Sequence, residues 1–173
     1  AGSSTLVDGG TVTVNSIALE KQTNNSYTKM AMAGLTPSDL DFNTGSSNWN
    51  VGGASSVPAF SYNYTASFPD YTGSLPDSIV RGSGLTISLS GKVSNADSVI
   101  LVIAAGSTSI VRTVAGSASS VSVSSSDLAG LPVITNKSAI VEIVPYRVAT
   151  STHGGKTYAF IKEFAATKSI NIQ

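Results

Sequence analysis

The chain has 173 residues, 41% of them hydrophobic, with ten basic and ten acidic side chains that cancel to a formal net charge of zero. Charged residues make up 12%, against roughly 25% in ordinary globular chains, and about 30 serines and 17 threonines supply the missing polarity. The absence of any Lys/Arg cluster excludes the electrostatic footprint of nucleic-acid or anionic-lipid binding, and the absence of cysteine excludes disulfides, thiolate nucleophiles and cysteine-ligated metals.

Alternation of apolar and polar residues, punctuated by Gly, Ser, Asn and Pro, runs through the whole chain, and no amphipathic helix of useful length appears. In the first part, strands are expected near Thr11–Val14, Ile17–Lys21, Tyr27–Ala33, Trp49–Val51 and Val57–Ala66. Pro58, Pro69 and Pro76, with Gly73 and Gly82, then mark a seam at about residues 67–84. Beyond it the expected strands are Ser78–Val80, Leu85–Ser90, Ser98–Ala105, Ser109–Ala115, Ser120–Ser124, Ala139–Ala149, Thr157–Ala165 and Ser169–Ile172. The only helical candidates are single turns, at Thr36-Pro37-Ser38-Asp39-Leu40 and Ser125-Ser126-Asp127-Leu128, each with a hydroxyl to cap it. No run approaches the ~18 apolar residues of a membrane helix, so no transmembrane segment is expected.

Many short strands at this spacing indicate an all-β fold. The expectation is an antiparallel immunoglobulin- or fibronectin-like β-sandwich over residues 75–173, with a β region at 1–74 packed on it. The second part has strands enough to fold alone. The first, with fewer strands and long Asn/Ser/Gly loops, has a thin inventory for an independent core. Val99-Ile100-Leu101-Val102-Ile103-Ala104 is apolar at both parities, which places it at the centre of a sheet with its outer face covered, the cover expected being the N-terminal region.

Several runs, in order, resemble uncharacterised exported β-sandwich lipoproteins of the Bacteroidetes type. They are Asn48-Trp49-Asn50-Val51-Gly52-Gly53, Val57-Pro58-Ala59-Phe60-Ser61-Tyr62, Phe68-Pro69, Gly84-Leu85-Thr86-Ile87-Ser88-Leu89, Asn95-Ala96-Asp97-Ser98-Val99, Ser125-Ser126-Asp127-Leu128 and Gly155-Lys156-Thr157-Tyr158-Ala159-Phe160-Ile161. The resemblance covers about residues 10–172. It implies an extracellular protein, or one on the outer surface of a Gram-negative envelope, lipid-anchored through a leader since removed. It implies no activity and brings no catalytic residue.

The residues themselves offer little chemistry. His153, the only histidine, sits in Ser151-Thr152-His153-Gly154-Gly155-Lys156, which reads as a solvated hairpin loop. Ten carboxylates are present, but no catalytic pair can be picked from sequence. Asp39, Asp41 and Asn43 form an oxygen-rich loop, read either as turn-forming residues or as the start of a calcium site. The spacing departs from an EF-hand at Gly45 and lacks its terminal glutamate, and no other cofactor is expected. The most suggestive feature is aromatic: Phe60, Tyr62 and Tyr64 share one parity of a strand, with Trp49 shortly before. Exposed, this stripe would stack on sugar rings or grip a partner; buried, it would be core packed over Val99–Ala104.

The leading expectation is therefore a non-catalytic extracellular or cell-surface module with an adhesion, scaffold or binding role towards a protein or glycan. The alternatives are a carbohydrate-binding protein that uses Trp49, Phe60, Tyr62 and Tyr64, and a subunit of an extracellular fibre. The fibre reading rests on long uncharged strands and zero net charge, which permit edge-to-edge association.

Overall fold

A computed structural model describes residues 5–29, 42 and 45–173. The chain is all-β, with antiparallel sheets and, among the described residues, one short α-helix and a 3-10 turn at Arg81–Ser83. It divides into two compact units, the first Ala1–Ser67 with Ala149–Phe160 and the second Phe68–Val148 with Ile161–Gln173. The boundary at Ser67/Phe68 falls at the edge of the Pro/Gly seam, and the segment Ala149–Phe160 clusters with the N-terminal residues. Sequence position alone hides this second feature, because those residues belong to two strands that begin and end in the other unit.

The first unit holds β1 (Val12–Val14), β2 (Ile17–Ala18), β5 (Ser47–Val51) and β6 (Phe60–Tyr64) in a sheet of order β2-β1-β5-β6. The turn joining β1 to β2 is the pair Asn15-Ser16, both at positive φ (47° and 67°), a two-residue turn whose twist matches the flanking strands. A separate hairpin is made by β3 (Glu20–Lys21) and β4 (Tyr27–Thr28). The rest of the strand expected over Tyr27–Ala33 and the turn expected at Thr36–Leu40 lie outside the described residues, apart from Lys29.

The larger sheet contains β8 (Ser78–Ile79), β11 (Ser98–Ala105), β12 (Thr108–Ala115), β14 (Ile134–His153), β15 (Lys156–Glu163) and β16 (Ala166–Ile172), all in the second unit except the end of β14 and the start of β15 within Ala149–Phe160. Its order is β12-β11-β14-β16-β8, with β15 also on β14, and the β16–β8 pair is its parallel one. A second layer is built from β9 (Leu85–Ser88) with β13 (Ser120–Val123), and from β7 (Asp70–Tyr71) with β10 (Val93–Ser94). Neither β7 nor β10 is expected from sequence, since two residues are too few to show alternation.

The layers enclose an aliphatic core. Val99, Leu101 and Ile103 of β11, Val141 and Ile143 of β14, and Ile170 and Ile172 of β16 are fully buried beneath Ile87, Leu89, Val121 and Val123. The run Val99–Ala104 is central as expected, with β12 on one side and β14 on the other. Its second parity, Ile100, Val102 and Ala104, is half-buried between neighbours such as Val111 and Glu142, which flank Val102. The expected helical turn is α1 (Ser125–Leu128), capped by the hydroxyl of Ser124, one residue earlier than the quoted run.

Candidate functional site

The aromatic stripe lies on one face of the β5–β6 pair in the first unit. The β5–β6 register sets Val51 beside Phe60, Trp49 beside Tyr62 and Ser47 beside Tyr64, so the named rings share a face. Tyr64 is buried, whereas Trp49, Phe60 and Tyr62 are half-buried. Their ring partners come from the Ala149–Phe160 segment. Tyr62 stacks on Phe160 at 4.2 Å between centroids, Trp49 tilts towards it at 6.1 Å, and Phe60 lies 4.4 Å from Tyr158. The partners expected for the buried case, Val99–Ala104, belong to the other unit.

The histidine differs from its expected setting. β14 runs through to His153, and the hairpin turn is only Gly154-Gly155, at φ +55° and +73°. His153 is thus a strand residue rather than a solvated loop residue: it is half-buried, stacked on Phe60 at 4.3 Å and 9°, with Nε2 2.8 Å from Ser151 Oγ. A Ser–His pair of this kind needs an acid on the other ring nitrogen to act as a relay. No carboxylate among the described residues bonds that ring.

Carboxylates are held one by one. Asp8 accepts hydrogen bonds from the Gly10 N–H (2.9 Å) and the Tyr27 hydroxyl (2.8 Å), and pairs with Lys21 at 2.6 Å. Together, Lys21 foremost, these draw its pKa down to about 2. Asp127 is drawn down by the Ser124 hydroxyl and then by Arg112, and Asp77 by Lys168. Among the described residues no three His, Cys, Asp or Glu side chains converge as a metal site; Asp39, Asp41 and Asn43 lie outside those residues.

A better-formed recess lies in the second unit, where sequence reasoning placed nothing. It is a cleft of about 360 Å³ bordered along one side by four consecutive residues, Leu85–Ser88, of β9. A strand that presents its backbone edge to a cleft lines it with successive residues of both side-chain parities. The Leu89 N–H donates to the Ser119 carbonyl at 2.8 Å, and the β9–β13 register pairs Ile87 with Val121 and Leu85 with Val123. Amides alternate sides along a strand, so Leu85, Ile87 and Leu89 face β13 while Thr86 and Ser88 turn N–H and C=O the other way. Among the described residues no strand pairs there.

The opposite wall, Gly73–Pro76, is held in place from two sides. The Tyr71 hydroxyl donates to the Ser74 carbonyl (3.3 Å) beneath Gly73, where a methyl group would collide with the Tyr71 phenol. Lys168 of β16 donates to the Leu75 carbonyl (3.0 Å) and pairs with Asp77 at 2.9 Å. At the Ser88 end stands Lys92, anchored by its N–H to the Leu89 carbonyl and by its carbonyl to the Thr72 N–H. Its ammonium forms no ion pair with any described residue. The cleft thus has an apolar floor of Leu75, Leu85 and Ile87, an open row of backbone groups and one cation. The signals for it in the sequence were only the Pro69/Gly73/Pro76 punctuation and the Leu85/Ile87 alternation.

No helix among the described residues is long and apolar enough to cross a membrane. Comparison with protein-family models, curated proteins and solved structures finds no match to the chain.

Proposed function

We propose that this chain is a non-catalytic binding module of an extracellular or cell-surface protein, and that its ligand is another polypeptide. The observation that supports this reading is the preformed cleft beside the unpaired edge of β9. It falls in the size range of roughly 300–1,000 Å³ typical of ligand sites, and its unpaired groups are a main-chain row rather than convergent acids or nucleophiles. The extracellular setting accords with the weakly charged, Ser/Thr-rich composition and with the likeness to exported β-sandwich lipoproteins. The aromatic face gives less support to a glycan ligand, because Phe60 and Tyr62 already stack on His153 and Phe160.

Panning a random linear-peptide library against the native chain tests the reading. Binders are expected to slow amide exchange at Thr86 and Ser88, which face the cleft. A panel that yields no peptide, beside a glycan array that does give binding lost in Tyr62→Ala, would reverse it in favour of the carbohydrate alternative.

A further inference from the structure

We infer that the ligand enters the cleft as an added β-strand, hydrogen-bonded to Thr86 and Ser88 and carrying a carboxylate beside Lys92; this rests on reading the cleft as a polypeptide site. Three observations carry the mode of binding. β9 is an edge strand whose outward N–H and C=O groups open on a recess rather than on bulk solvent, the arrangement used in strand-addition recognition. The recess runs the length of β9, four residues or roughly 13 Å at the rise of a strand. Its far wall is pinned by Tyr71 and Lys168, so the slot exists without its occupant.

The pleat then dictates the occupant's sequence. Side chains on adjacent strands share faces, so occupant residues beside Leu85 and Ile87 point inward over Leu75, and those beside Thr86 and Ser88 point outward. The segment must therefore alternate apolar, preferably β-branched, residues with small hydroxylated ones. Lys92, exposed and without an ion pair among the described residues, sets an acidic residue at the Ser88 end. The occupant is an extended segment of a different protein with that pattern and an acidic residue to meet Lys92.

The test uses the full chain and a short synthetic peptide of alternating valine and threonine that ends in glutamate, with binding read by fluorescence anisotropy. Methylating the backbone nitrogens that face β9 is expected to weaken binding at least about tenfold, because each blocked hydrogen bond leaves an unpaired partner. Replacing the terminal glutamate by lysine, or Lys92→Glu in the protein, is expected to cost about fivefold, and the two changes together to restore much of the loss. Thr86→Pro removes an outward N–H at an edge position where proline is tolerated, and should weaken the peptide without altering the far-ultraviolet spectrum. Should that variant misfold, the methylated peptides still decide the matter on the native chain. Equal binding of methylated and unmethylated peptides, with protection still at Thr86 and Ser88, overturns strand addition but leaves a polypeptide site. No binding of any peptide overturns both. Self-association across a concentration series that Thr86→Pro abolishes would replace the foreign segment with a second copy of this chain.

Discussion

The two units are built from different materials. The second has an aliphatic core in two layers, with side chains such as Leu101, Ile103, Val141 and Ile143 wholly out of water. Among the described residues of the first, Val12, Val14, Val57, Tyr64 and Phe160 are buried but none is wholly out of water, and half-buried rings stack on one another beside a polar knot at Asp8. In the second unit β9 keeps Ile87 in the core while its other edge pairs with no strand among the described residues. In the first unit the rings are taken up by one another instead, Tyr62 by Phe160 and Phe60 by His153.

Truncation should expose that contrast. Leu101→Ala removes a fully buried side chain from a packed interior and is expected to cost about 2–5 kcal/mol. Phe160→Ala, at a site 7% exposed, takes the shared partner from both Tyr62 and Trp49 and is expected to cost about 3 kcal/mol. Trp49 is the only tryptophan, so its fluorescence reports on the first unit, while far-ultraviolet dichroism is dominated by the longer strands of the second. Urea titrations followed both ways should show Phe160→Ala displacing the fluorescence transition more than the dichroism transition, and Leu101→Ala the reverse. Coincident displacement of both probes in both variants would mean that the units melt together and that the difference in their cores has no separate thermodynamic expression.

A smaller effect belongs to the capped turn of the second unit. Ser124 accepts the Asp127 N–H at 3.1 Å and donates to its carboxylate at 2.7 Å, while Arg112 approaches that carboxylate at 2.8 Å. Ser124→Ala is expected to lower stability by about 1 kcal/mol and to let the Asp127 pKa climb back towards its ordinary value, read from a carboxyl NMR titration. An unchanged titration would assign the depression to Arg112 instead.

How much of this was legible depended on the length scale of each feature. The strand Ser98–Ala105 could be read to the residue, because its apolar run is long and its flanks are clear. The α1 turn was readable because Asp127 and the serines before it carry their own capping chemistry. His153 was misplaced because Gly154-Gly155 makes a two-residue turn, so the strand continues to the histidine where the sequence suggested a longer loop. The aromatic stripe was legible as one face of a strand, but its ring partners lie about a hundred residues away, and local periodicity contains no such information. The cleft left only the punctuation at Pro69, Gly73 and Pro76 and the Leu85/Ile87 alternation in the sequence, neither of which marks a recess. It depends on an absence of pairing beside β9 and on two-residue strands too short to leave a pattern.

The polar knot of the first unit gives the smallest expected effect and the clearest sign. Asp8 is pulled from its ordinary 3.8 to about 2, first by Lys21 and then by the Gly10 amide and the Tyr27 hydroxyl. A carboxylate with a folded pKa below its unfolded one favours the folded state fully above the unfolded value, and that contribution disappears as pH falls through the folded value. Asp8→Asn keeps the shape of the side chain and removes the titration. The melting temperature of the native chain should therefore exceed that of the variant slightly near neutral pH, and the gap should close between about pH 4 and pH 2. Added salt should narrow it as well, since the Lys21 pair is largely solvated. A gap that persists unchanged through this range would mean that Asp8 acts through the geometry of its turn with Gly10 and Tyr27 rather than through its charge. In that case the first unit would be held by ring stacking and hydrogen-bond shape alone, and its contrast with the aliphatic second unit would be sharper than the ion pair suggests.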